Sequence, residues 1–269
     1  MKAKLLILLI TVILAGCLYG MDLSVGPCMD YQRKCLILKG DIRKGDAEKF
    51  KRFIFDDADS EEKWSNIILI SSGGEVEAAL ALAEEIRKSY EMVFVEESLG
   101  ACGSACFYLW AAAVERDVWN DAKIGLHRPY LTKERAKTIL PEDLDKHNKV
   151  LAKKVSEKLR EWEIPEYLIE KMLAMSSVDV YWLTKSDLQA IPTVSSAWEE
   201  SVIAKCDIED PRIKCNVFSN CKNAEDIIEG FLRNDATKEY VICYAKFRAL
   251  QSDRYFIDLA IERDKKNPQ

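Results

Sequence analysis

The residues best placed to do chemistry in this chain are a serine and a histidine. Ser104 lies within Gly100-Ala-Cys-Gly-Ser-Ala-Cys106, where a hydrophobic strand gives way to a small-residue turn and an apolar run. His127, one of only two histidines, follows a second short strand and precedes Pro129, a setting suited to a fixed ring. A hydroxyl is a poor nucleophile until a base takes its proton, so the pair predicts acyl-transfer chemistry if Oγ and Nε2 approach. The other histidine, His147, falls in a long helical pattern and is expected to be a half-buried helical residue.

An oxyanion forming at Ser104 would need donors. Gly73 and Gly74, at the end of an earlier strand, can bring backbone N–H groups close without side-chain obstruction, and the amide of Ala105 is a third candidate. The bland alternative is that small residues here only permit close packing and that His127 is a satisfied structural side chain. A thiol nucleophile at Cys102 or Cys106 would have no better base than His127. If both cysteines sat on one helix they would share a face, and a disulfide between them would need distorted or non-helical backbone.

The elements that must position these groups follow an α/β rhythm. Asn66-Ile-Ile-Leu-Ile70 reads as a strand ending at Ser71-Ser72-Gly73-Gly74. Val76, Ala79, Leu80, Ala83 and Ile86 then recur on one helical face. Met92-Val-Phe-Val95 is a further strand, and Lys123-Ile-Gly-Leu126 leads into His127. This alternation predicts crossover units with mostly parallel pairing. From Pro141 to Trp162, Leu144, His147, Val150, Leu151, Val155 and Leu159 keep helical spacing, and Pro165 opens a second helix through Met172. Thr184 is placed to cap a helix, with Asp187 at the reciprocal position of a capping box.

The first residues read as a targeting segment. Lys2 and Lys4 precede an aliphatic run from Leu5 to Leu14 that is short for a membrane span, closed by Ala15-Gly16-Cys17. That ending resembles a bacterial lipobox, which implies acylation of Cys17 and a lipid anchor in the cell envelope, the alternative being a cleaved secretory signal. Leu18 after the cysteine resembles outer-membrane sorting, facing the periplasm, if the source has two membranes. Formal charge is -6, with no basic cluster beyond the leader, so nothing suggests a nucleic-acid partner. The remaining cysteines, Cys28, Cys35, Cys102, Cys106, Cys206, Cys215, Cys221 and Cys243, are even in number, which in an exported chain points to disulfides. Cys28–Cys35 is the simplest local pairing, and the last four are expected to pair among themselves. They supply no compact zinc-ligand spacing, and no metal or cofactor is expected. The expected organisation is a leader over 1–16, an anchor and cysteine-containing segment over 17–62, an α/β domain over 63–202, and a cysteine-rich appendage with a polar tail over 203–269.

Taken together, the Ser71-Ser72-Gly73-Gly74 segment, Gly100 to Cys106, and Ile124-Gly-Leu-His-Arg-Pro129 resemble the Clp protease proteolytic subunit and its secreted relatives, within the broader crotonase-like fold. The resemblance spans about Ile67 to Ile191. It implies a repeated ββα/βα core, Ser104 as nucleophile, His127 as general base and the glycine pair as oxyanion loop. The family's acid falls at Val180, and Asp179, one residue away, is the candidate third member, while Asp187 is a poorer match. Similar secreted proteins carry a comparable Cys-x-Ser-Ala-Cys motif, which implies a structural role for Cys102 and Cys106. The function so implied is ATP-independent serine hydrolysis of a peptide or envelope protein, by a domain that assembles into homo-oligomers. Valine at 180 and the added cysteines favour a second reading, a non-catalytic envelope scaffold or binding lipoprotein. Crotonase-like folds also bind acyl-thioesters, but the chain has no ribose or phosphate recognition motif.

Overall fold

The structure is a computed structural model and describes residues 20–28, 34–57, 64, 66–206 and 235–266. The leader with Cys17, and also Cys215 and Cys221, lie outside the described residues.

Two sheets make up a mixed α/β fold. The larger is built from β1 (Asp22–Pro27), β2 (Lys34–Lys39), β3 (Ile67–Ile70), β4 (Met92–Glu96) and β6 (Glu115–Trp119), in the order β1-β2-β3-β4-β6. Only β1 runs antiparallel to its neighbour, and the Cys28–Cys35 disulfide ties its end to the start of β2. The inner strands read as unbroken aliphatic runs because helices cover the sheet, as in other parallel sheets. Ile67, Ile68 and Leu69 are fully buried. Helix α1 (Asp46–Asp57) follows β2, and α2 (Val76–Ser89) follows β3. The predicted face of α2 is the one that packs: Val76, Ala79, Leu80, Ala83 and Ile86 are all buried.

The smaller sheet is not evident from the strand pattern. It comprises β5 (Cys102–Gly103), β7 (Ile124–His127) and β8 (Val180–Trp182), ordered β5-β7-β8, with β8 antiparallel to β7. Ser71, just past β3, bridges to Cys102, and the Gly103 amide donates to the Ser71 carbonyl at 3.0 Å. The two sheets therefore meet where the serine motif begins. After it comes α3 (Cys106–Ala112), whose residues are all buried, which explains why that segment shows no polar face.

Beyond β7, α4 (Lys133–Ala136) leads to the long α5 (Pro141–Glu161), α6 (Glu166–Ala174) and, after β8, α7 (Lys185–Ala190) and α8 (Ser196–Cys206). Only the C-terminal half of α5 packs, through Leu151, Val155 and Leu159. Its first half stands clear, with Val150 63% exposed, and His147 is exposed rather than half-buried as expected. The capping box of α7 is formed as predicted, with Thr184 Oγ1 accepting from the Asp187 amide. Asp187 also accepts from Tyr167, Tyr181 and the backbone and hydroxyl of Thr184. Burial pushes this carboxyl up, but the hydrogen bonds from Tyr181, Thr184 and Tyr167 outweigh it and hold it down at about 2.

A buried cation ties the helical layer together. Arg116 is 1% exposed and donates to the carbonyls of Pro192, Ala111 and Trp162, the last two at the ends of α3 and α5. Helix C-termini carry partial negative charge, so they can hold a guanidinium without a carboxylate. Finally α9 (Asp235–Lys266) docks on α1, α2 and α8. The Cys206–Cys243 disulfide joins it to α8, and Arg248 bonds Tyr90, Asn66 and Glu91. Among the described residues no helix is long and apolar enough to cross a membrane.

Candidate active site

Ser104 occupies a two-residue turn between the end of β5 and the first residue of α3. Its backbone is left-handed, with φ of 54°. A non-glycine residue in that region costs about 1–3 kcal/mol and persists only where its surroundings over-determine it. Three observations show how this turn is held. The Ser104 amide donates to the Gly125 carbonyl at 3.0 Å, on β7. The Phe107 amide closes the turn on the Ser104 carbonyl. Cys102 on β5 and Cys106 on α3 are joined by a disulfide that spans the serine. The backbone between them is strand and then turn, so the i,i+4 helical placement does not arise, and a free thiolate nucleophile is ruled out at both positions.

Gly73 packs directly over this turn. A Cβ at Gly73 would lie 2.8 Å from Ser104 Cβ and 3.0 Å from the Ala105 nitrogen, and its φ of 114° is one that glycine alone adopts readily. Its amide is already given to Ser71 Oγ at 3.1 Å. Gly74, also at positive φ, presses on Ile42, where a Cβ would meet the carbonyl oxygen at 2.1 Å. Among the described residues neither the Gly74 nor the Ala105 amide has a partner. Of the three expected donors, Gly73 is thus a spacer, and Gly74 and Ala105 are the ones available.

Ser104 Oγ and His127 Nδ1 are 3.0 Å apart, and His127 Nε2 is 2.6 Å from the Ser177 carbonyl oxygen. A carbonyl only accepts, so Nε2 carries the proton and Nδ1 presents its lone pair to the Ser104 hydroxyl. The ring is therefore turned the opposite way from the expected Nε2-to-serine arrangement. It is the tautomer a general base needs. Tyr130 packs edge-on against the ring, with centroids 5.2 Å apart.

The candidate acid does not join this group. Both ring nitrogens are taken, and Asp179 is an exposed turn residue whose amide bonds Ser176. In the β7–β8 ladder His127 faces Val180, the position the family resemblance assigns to the acid. Asp179 lies just before β8, outside the ladder, and no hydrogen bond joins its carboxylate to His127 among the described residues. The carbonyl of Ser177, a main-chain group that no residue type could have signalled, orients the ring in its place. Asp187, the poorer match, is committed to its capping box and two tyrosines.

Two clefts are lined by residues near the pair in sequence or across the small sheet. One, of about 750 Å³, runs from Glu75, beside Gly74, past Leu131 and Ile139 to His147 and Leu151. The other, of about 570 Å³, lies beyond Trp182, whose ring crosses the small sheet next to Ser104.

No family model matches the chain, and no curated protein does. Among solved structures, a single-site mutant of ClpP1 from Listeria monocytogenes is similar, at 19% identity, covering 60% of this chain and 88% of that chain, with a TM-score of 0.44.

Proposed function

We propose that the chain is a serine hydrolase of Clp-like, crotonase-related architecture, acting on peptide or protein substrates at the cell envelope without ATP. The observation that carries this reading is the hydrogen bond from Ser104 to a histidine whose tautomer is set for base catalysis. In the reaction Ser104 Oγ attacks the substrate carbonyl carbon while its proton passes to Nδ1. The resulting imidazolium keeps its Nε2–H on the Ser177 carbonyl. The oxyanion accepts from the amide of Ala105, in the serine turn, and from that of Gly74, neither of which has a partner among the described residues. Collapse of the intermediate breaks the amide bond, and Nδ1 returns its proton to the leaving nitrogen. Water then attacks the acyl-serine with the same base, and the serine is restored.

The second reading, a non-catalytic scaffold, is favoured by one observation: a hydrophobic side chain, Val180, stands where an acid would support the imidazolium. Labelling by an alkyl fluorophosphonate separates the two. The hydrolase reading expects covalent labelling that disappears in Ser104→Ala and falls by orders of magnitude in His127→Ala. Absence of Ser104-dependent labelling across several probes establishes the scaffold. Lipid attachment at Cys17, export to the envelope and assembly into homo-oligomers belong to the same proposal. Incorporation of labelled palmitate, abolished by Cys17→Ser, tests the anchor.

A further inference from the structure

The antiparallel pairing of β7 with β8 sets Val180 opposite His127 and Trp182 opposite Gly125. Alternation then places His127, Val180 and Trp182 on one face of the small sheet, with Ser104 hydrogen-bonded at its end. On that face Trp182 lies over two glycines. A Cβ at Gly125 would sit 2.9 Å from Trp182 Cε3 and Cζ3, and one at Gly103 would sit 3.7 Å from Cη2. Neither glycine has a positive φ, so backbone conformation does not demand glycine at these positions. At Gly125 the demand is room for Val180, whose Cγ1 would lie 2.7 Å from a Cβ, and for the indole, and at Gly103 the absent side chain lets the ring approach the residue preceding Ser104.

A tryptophan seated this way would normally be covered. Trp182 is instead 43% exposed, and Val180 beside it is 41% exposed. Trp182 also lines the cleft of about 570 Å³, together with Leu188 and the charged Lys123, Asp121 and Lys185. The result is a flat, partly exposed apolar ring that shares its sheet face with His127 and lies against Gly103, the residue before Ser104.

We propose that Trp182 is a specificity-determining platform on which an aromatic side chain of a peptide substrate, close to the scissile bond, stacks. The inference rests on the hydrolase reading above. Offset stacking of two rings adds to the area they bury, and together these favour an aromatic over an alanine side chain by about ten-fold or more. The contact is made in ground state and transition state alike, so it lowers KM and leaves kcat nearly unchanged.

The test uses quenched fluorogenic hexapeptides in which a single phenylalanine is scanned through an alanine background. The full chain should cleave one register of the phenylalanine set about ten-fold better in kcat/KM than all-alanine peptide. Trp182→Ala should remove that preference through KM, Trp182→Phe should retain most of it, and Gly125→Ala, which displaces the indole, should weaken it. Labelling by a small alkyl fluorophosphonate should stay within about two-fold of the unsubstituted protein in Trp182→Ala. An unchanged phenylalanine preference in a folded Trp182→Ala protein overturns the inference and leaves the hydrolase standing. So does a parallel loss of small-probe labelling, because Trp182 would then act on the serine turn rather than on the substrate. Loss of Ser104-dependent labelling in the unsubstituted protein sinks the hydrolase reading and this inference with it.

Discussion

Replacing Val180 by aspartate should make Ser104 a faster nucleophile. In this ladder the Leu183 amide bonds the Ile124 carbonyl, which makes His127 and Val180 a non-hydrogen-bonded pair. Such pairs have Cα atoms about 4.5 Å apart and side chains on the same face. A carboxylate there would stand within about 4 Å of the imidazole. Opposite unit charges at about 4 Å attract by about 1 kcal/mol in water and about 4 kcal/mol at an effective dielectric of about 20. Both residues are partly solvated, so the lower part of that interval applies, and the Ser177 dipole already supplies a share. About 1–3 kcal/mol of additional stabilisation of the imidazolium remains, which amounts to about 5- to 150-fold in the acylation rate.

The assay is the second-order rate of fluorophosphonate labelling as a function of pH, for the unsubstituted protein, Val180→Asp and Val180→Asn. Asparagine has nearly the same shape and carries a dipole without a charge, so it should change the rate by less than about three-fold. With aspartate the acid limb of the profile should also move to higher pH, because an adjacent carboxylate favours protonated histidine. Val180 is 41% exposed, so the substitution gives up little buried surface and the protein should still melt cooperatively. A Val180→Asp rate no faster than that of Val180→Asn, in a folded protein, would refute the argument that the missing acid limits His127. An increase that survives Ser104→Ala would refute the assignment of the nucleophile.

Three further outcomes follow from the structure. Changing Cys102 and Cys106 to serine together frees the turn that keeps Ser104 left-handed, so labelling should drop by about ten-fold; opening even this short loop costs about 2 kcal/mol, so the melting temperature should fall by several degrees. Arg116→Met leaves the carbonyls of Pro192, Ala111 and Trp162 buried without donors, and urea melts should show a loss of about 3–5 kcal/mol. Asp187 is held below the ordinary carboxylate range, so its stabilising effect is complete above about pH 4 and lost as pH falls through about 2. The stability gap between the unsubstituted protein and Asp187→Asn should therefore be widest near neutrality and close on acidification, as measured by denaturant melts at successive pH values.

What could be read from the chain beforehand divides along a physical line. Features carried by local pattern were legible: the apolar run of β3, the buried face of α2 and the capping box at Thr184 and Asp187 follow from periodicity and from side chains reaching their own backbone. The order of the glycine pair, Ser104 and His127 was also legible, because each sits just after a strand or at its last residue. Features created by tertiary approach were not. A two-residue strand such as β5 has no period to detect, so Cys102 could not be told from a helical residue, and the disulfide across Ser104 had no local signature. The strand over Lys123 to Leu126 was legible, but not why it holds glycine at 125: the space a Cβ would need is taken by Val180 and Trp182 on another strand. The acceptor that holds His127 Nε2 was not legible for a related reason: it is a backbone carbonyl, which every residue possesses, so no side-chain identity marks Ser177. An absent carboxylate therefore did not imply an unoriented histidine. A valine opposite His127 gives no support for positive charge on the ring, while the Ser177 carbonyl sets its tautomer and direction.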